Sequence, residues 1–82
     1  MRVRKDLVTT MKAAIVSIGD ELVLGESVDT NTAWLADQLA CRSITTIEHR
    51  SLGDDQDRIA SALAELVSRV DLIVLTGGLG PG

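Results

Sequence analysis

Val70-Asp71-Leu72-Ile73-Val74-Leu75-Thr76-Gly77-Gly78-Leu79-Gly80-Pro81-Gly82 is the stretch that decides the fold. Residues 72–75 form a continuous apolar run, the pattern of a strand buried on both faces. Thr76 hands that strand to four glycines in six residues. Glycine there frees the backbone to take positive φ and lets a ligand approach without a Cβ in the way. A buried parallel strand that ends in a glycine turn is where open α/β sheets hold phosphates and nucleotides.

Upstream, the chain supplies the rest of such a sheet. Residues 13–17 (AAIVS) read as a second buried strand, broken at Gly19-Asp20-Glu21, with a loop continuing through Gly25. Asp29-Thr30-Asn31 offers N-caps for a helix over residues 31–41, whose apolar face is Ala33, Leu35, Ala36, Leu39 and Ala40. Residues 44–50 (ITTIEHR) are β-branched and mixed in polarity, which predicts a strand near an edge. Gly53-Asp54-Asp55 closes it. Ile59, Ala62, Leu63, Leu66, Val67 and Val70 then fall on one stripe of a second helix. Asp54, Asp55 and Asp57 sit at its positive end and Arg69 is expected in its last turn.

The order β-α-β-α-β is a mononucleotide-binding half of a doubly wound, mostly parallel sheet, a three-layer α/β fold. With right-handed crossovers and strand order 2-1-3, one helix covers each face. The third strand is then poorly covered. The sequence therefore predicts an N-terminal portion, residues 12–82, of a domain about twice as long, preceded by an extension at residues 1–11, with Met1 or Met11 as the start.

Composition narrows the class. Of the 82 residues, 45% are apolar and almost all of those aliphatic, with one Trp and neither Phe nor Tyr; aliphatics at that density fill a core. No apolar run approaches the ~20 residues of a membrane helix, and the basic start lacks the apolar segment of a signal peptide. Residues 1–12 hold four cations against one acid, and residues 13–82 hold four arginines against eleven acids. Such an acidic body excludes a nucleic-acid backbone as the expected partner. A single cysteine, Cys41, fits a reducing cytoplasm.

In a parallel sheet the carboxyl ends of the strands share one edge. That edge collects Gly19-Asp20-Glu21, Gly53-Asp54-Asp55 and Thr76-Gly77-Gly78-Leu79-Gly80, and none of these loops carries a Lys or Arg. The nearest cation is Arg50 on the second strand. A phosphate bound there meets backbone N–H groups and an opposing charge of about four acids; one like-charge pair at ~4 Å costs about 4 kcal/mol at an effective dielectric near 20. A hard divalent cation such as Mg²⁺, shared between carboxylates and phosphate oxygens, resolves the conflict. Simpler readings stand beside this one: Asp54 and Asp55 as helix caps, Asp20 and Glu21 as solvated loop acids, and the glycines as an ordinary turn. The loop is neither a Walker A motif nor the dinucleotide fingerprint. Cys41 reads as a packed thiol, His49 as an outward polar residue, and Trp34 lies off the apolar face. Ser17 and Ser51 have no visible base.

Taken together, Ile18-Gly19-Asp20-Glu21-Leu22 with Gly25, Asp29-Thr30-Asn31, Gly53-Asp54-Asp55 and Thr76-Gly77-Gly78-Leu79-Gly80-Pro81 resemble the molybdopterin-binding-like domain of the CinA type, from the superfamily of the molybdenum-cofactor proteins MoaB, MogA and MoeA. The match runs over residues 13–81. It implies a pterin or nucleotide phosphate bound by Thr76, Gly77, Gly78, Leu79 and Gly80, with Asp54 and Asn31 contributing. It also implies a homo-oligomer at full length, and a metal at Asp20, Glu21 and Asp54. Some members of the branch are associated with metal-dependent ADP-ribose pyrophosphatase activity, and full-length bacterial relatives add a nicotinamide-nucleotide deamidase domain. This chain departs from the pattern in two places. The family continues past Gly-Pro to an Asp-Asp-x-Thr segment that supplies an acid, and it ends the first helix at a Gly where this chain has Cys41-Arg42-Ser43. Three expectations follow: a pterin- or nucleotide-phosphate-binding domain, a divalent-metal-dependent hydrolase of ADP-ribose, or a truncated product without activity. The resemblance identifies no catalytic residue.

Overall fold

The computed structural model describes residues 11–20 and 31–77. Among the described residues three strands and two helices alternate: β1 (Met11–Ile18), α1 (Asn31–Ala40), β2 (Ile44–Leu52), α2 (Gln56–Val67) and β3 (Leu72–Thr76). All strands are parallel, in the order β2-β1-β3. The apolar run predicts the central position of β1, because only a strand paired on both edges and covered on both faces tolerates such a sequence. Residues Ala13, Ala14, Ile15, Val16, Ser17 and Ile18 are all at most 1% exposed.

Alternation along β1 splits the core in two. Ala14, Val16 and Ile18 pack with Leu66 of α2, and Leu52, Ile59, Val70 and Ile73 close around them. The opposite set, Ala13, Ile15 and Ser17, faces α1, whose Thr32 reaches Ser17. α1 contributes half-buried Leu35, Ala36 and Leu39, whereas Ala33 and Ala40 of the expected apolar face are exposed. Trp34 is 60% exposed. Among the described residues β3 is flanked on one edge only and none of its residues is buried, in line with the poor cover expected of it.

Local details differ from expectation for identifiable reasons. β1 and β2 each extend beyond the predicted runs because the parallel ladder continues through Ser51 and Leu52. The ladder slips between Ala13 and Ala14, so Ile47 has no partner on β1 and is 46% exposed. α1 stops at Ala40, one residue short, and turns through Cys41-Arg42-Ser43 with N–H groups of Arg42 and Ser43 donating to the carbonyls of Leu39 and Ala40. Ser43 takes φ +62°, the left-handed conformation that usually calls for glycine at a helix end. Cys41 swings outward in that turn and is exposed instead of packed. α2 ends at Val67, which leaves that side chain 66% exposed and places Arg69 beyond the last turn. Arg69 pairs there with Glu48 at 2.8 Å.

Candidate functional site: the carboxyl edge of the sheet

The loops that follow β1 and β2 are joined by a side chain. The Asp20 Oδ1 accepts the backbone N–H of Asp54 at 3.0 Å. Beside it the Gly19 N–H donates to the Leu52 carbonyl at 2.8 Å, the last rung between the two strands. Asp55 is the N-cap of α2, its Oδ1 accepting the N–H groups of Asp57 and Arg58 at 3.0 and 3.1 Å. Capping thus falls to Asp55, while Asp54 stays exposed at the lip of the turn.

β3 delivers its own loop to the same edge. Thr76 pairs with Ser17 of β1. Gly77 has φ +77°, and a Cβ built there would lie 2.5 Å from the Ile18 carbonyl oxygen. Glycine is required on both counts, since the left-handed conformation and the backbone obstacle each exclude a side chain. Asn31 opens α1 at this edge, next to Thr32, and is exposed. Asp20, Asp54, Asn31, Thr76 and Gly77 are therefore brought to one side of the sheet. Glu21, Gly78, Leu79 and Gly80 lie outside the described residues.

At the edge the Arg58 Nε lies 4.0 Å from Asp55 Oδ2, a long and solvent-exposed contact. Arg50 points to the α2 face, where its guanidinium pairs with Glu48 and, at 2.8 Å, with Glu65. Hydrogen bonding to Glu65 and then to Glu48 raises the Arg50 pKa above its ordinary value, and the same contact lowers that of Glu65. Arg50 is committed to this pairing and does not serve the edge. Among the described residues no group of three or more His, Cys, Asp or Glu could alone hold a metal ion. Mg²⁺ uses one or two carboxylates when phosphate oxygens complete its shell, and Asp54 stands exposed at this edge.

A polar cluster on the α1 side of the edge escaped the sequence reading. Ser17, fully buried, has its Oγ 3.1 Å from His49 Nε2 and 3.2 Å from Thr32 Oγ1. Thr32 Oγ1 lies 3.2 Å from the same imidazole nitrogen, and Thr76 Oγ1 donates to Ser17 Oγ at 3.4 Å. Ser17 therefore does have a base beside it, contrary to expectation, but its burial keeps it from acting as a nucleophile. The cluster satisfies a hydroxyl that would otherwise be an orphan in the core and anchors Thr76 where the glycine loop begins. Its one sequence signal was a lone serine inside the apolar run of β1.

The family model described as "Probable molybdopterin binding domain" matches residues 14–82. The chain belongs to this family. Its CinA-type character follows from the relatives. A CinA-like protein of Geobacter metallireducens is 54% identical over 71 residues, covering 87% of this chain. One from Deinococcus deserti is 46% identical over 69 residues, covering 84%. In both cases the chain spans 17% of the relative's length. Among solved structures, CinA of unknown function from Thermoplasma acidophilum superposes with a TM-score of 0.83 at 30% identity, over 89% of this chain and 43% of that one. The shared α/β fold accounts for the alternation of three parallel strands and two helices. No helix among the described residues is long and apolar enough to cross a membrane.

Proposed function

We propose that this domain binds the phosphate end of molybdopterin or of a related nucleotide, together with a divalent cation. Backbone N–H groups of the Thr76-Gly77-Gly78-Leu79-Gly80 loop receive the phosphate, and the carboxylates expected from the sequence, Asp54, Asp20 and Glu21, supply the field for Mg²⁺. Asn31 at the start of α1 offers an amide to the rest of the ligand. The observation that carries this reading is the shape of the edge: a glycine at φ +77° whose Cβ position is blocked by the end of β1, on the same side of the sheet as the exposed Asp20 and Asp54, with Arg50 paired on the α2 face. An anion is stable there through backbone donors and a shared cation. When bound, the cation supplies charge neutralisation and polarises the phosphate oxygens.

Calorimetry with ADP as the probe, with and without Mg²⁺, tests this. Binding is expected only with the cation, and to weaken about tenfold or more in Asp54→Ala, which removes a charge-assisted partner. Equal heats with and without Mg²⁺, or no heat in either, would sink it. The hydrolase reading uses the same edge and cation, and incubation with ADP-ribose and Mg²⁺ separates the two: release of AMP supports hydrolysis, and binding without release supports a carrier or sensor of the ligand.

A further inference from the structure

The three acids described at the edge do not share one job. Asp55 directs its carboxylate onto the N-terminus of α2, at 3.0 and 3.1 Å from two backbone N–H groups. Asp20 directs Oδ1 onto the Asp54 N–H at 3.0 Å. Asp54, next to Asp55 in sequence, is exposed. The turn that carries it is tight, because the Asp55 N–H donates to the Gly53 carbonyl at 2.8 Å.

Gly53 records the same contact from the other side. A Cβ at that position would lie 2.8 Å from Asp20 Oδ1, so the Asp20 carboxylate would have to move to admit it. No positive φ is recorded for Gly53, so backbone conformation does not explain the residue. The carboxylate oxygen of Asp20 explains it: the oxygen occupies the space that a side chain would need. One atom thus accepts the amide of residue 54, across 34 positions of sequence, and fills the place of a Cβ on residue 53.

We propose that Asp20 is a positioning residue, whose Oδ1 fixes the Gly53-Asp54 backbone and thereby holds the Asp54 carboxylate in place for the cation. A carbonyl oxygen would hold the amide as a carboxylate does, so the part played by Asp20 requires an acceptor more than a charge. The consequence for the cation rests on the function proposed above; the clasp itself does not.

The test uses the ¹⁵N-labelled 82-residue chain with two readouts, amide exchange at residue 54 and Mn²⁺ titration by paramagnetic broadening. Asp20→Ala and Gly53→Ala should each speed exchange at Asp54 about tenfold, the loss expected for a charge-assisted hydrogen bond, and should weaken Mn²⁺ binding. Gly53→Ala is the telling variant, because it leaves every carboxylate intact and only displaces Oδ1. Asp20→Asn should restore the slow exchange and recover most of the affinity lost in Asp20→Ala. Unchanged exchange at Asp54 in both alanine variants would overturn the proposal. So would Asp20→Asn losing Mn²⁺ as fully as Asp20→Ala while Gly53→Ala keeps it, which would make Asp20 a direct ligand. If the wild-type chain takes no Mn²⁺, the proposed cation site fails, and the exchange rates alone still decide the clasp.

Discussion

Gly77→Ala should be among the most damaging single substitutions in the chain. The new methyl group meets two penalties. At φ +77° an L-residue costs about 1–2 kcal/mol over glycine. Its Cβ would also lie 2.5 Å from the Ile18 carbonyl oxygen. That oxygen belongs to the backbone of the central strand, whose ladder prevents easy retreat, so overpacking adds about 1–3 kcal/mol. The sum, about 2–5 kcal/mol, is a large part of the roughly 4–12 kcal/mol expected for a chain of this length. Urea unfolding followed by far-UV circular dichroism measures it; at a slope of about 1 kcal/mol/M the midpoint falls by about 2 M or more. Gly53→Ala is the control. Its obstacle is the tip of the Asp20 side chain, which rotates away at the cost of one hydrogen bond, so its midpoint should fall by no more than about 1.5 M. A Gly77→Ala midpoint within that same margin would refute the reasoning, because the strand end would then be free to yield.

Ser43→Gly should stabilise the chain by about 0.5–1 kcal/mol, since Ser43 already occupies φ +62° at the end of α1; an unchanged or lower urea midpoint would count against it. Leu66→Ala should cost about 2–5 kcal/mol, because Leu66 is fully buried against β1, whereas Val67→Ala, at a residue 66% exposed, should stay within about 0.5 kcal/mol. Glu65 gives a pH dependence. Arg50 holds its carboxyl below the usual range, mainly by hydrogen bonding, so the contact stabilises the fold above the unfolded-state pKa of about 4.3 and is lost as pH falls through the lower folded-state value. Urea midpoints of Glu65→Gln should therefore drop less than those of the wild type between about pH 7 and about pH 3, and equal drops would show the ion pair to be inert.

Much of this architecture was legible because it rests on periodicity. The stripe from Ile59 to Leu66 and the unbroken apolar run of β1 each admit one placement, and together they require a covered central strand with β2 and β3 on either side. The glycine loop and the Asp54 turn were legible as motifs. What escaped depends on which residues meet across the sheet. Ser17, Thr32, His49 and Thr76 come from four elements, and only the strand register and the seating of α1 bring them together. Arg50 had two faces available, and the parity of β2 turned it toward Glu65 and away from the edge. Cys41 and Arg69 were misplaced because each helix ends earlier than its pattern, and a residue or two past a helix end reverses which way a side chain points.

The central position of β1 also governs when the fold can assemble. β1 is synthesised first, yet its two hydrogen-bonding partners begin about 25 and about 55 residues later. At a synthesis rate of about 5–20 residues per second, the strand waits roughly 3–10 s before β3 exists to pair with it. Its apolar run is held by neither ladder until β2 emerges, and by one ladder at most until β3 follows. Parallel pairing also demands closure of a whole crossover before the first rung forms, which makes such a sheet slow to nucleate. The most deeply buried segment of the finished domain is therefore the one that a nascent chain leaves open longest, and the segment for which holding chaperones would compete.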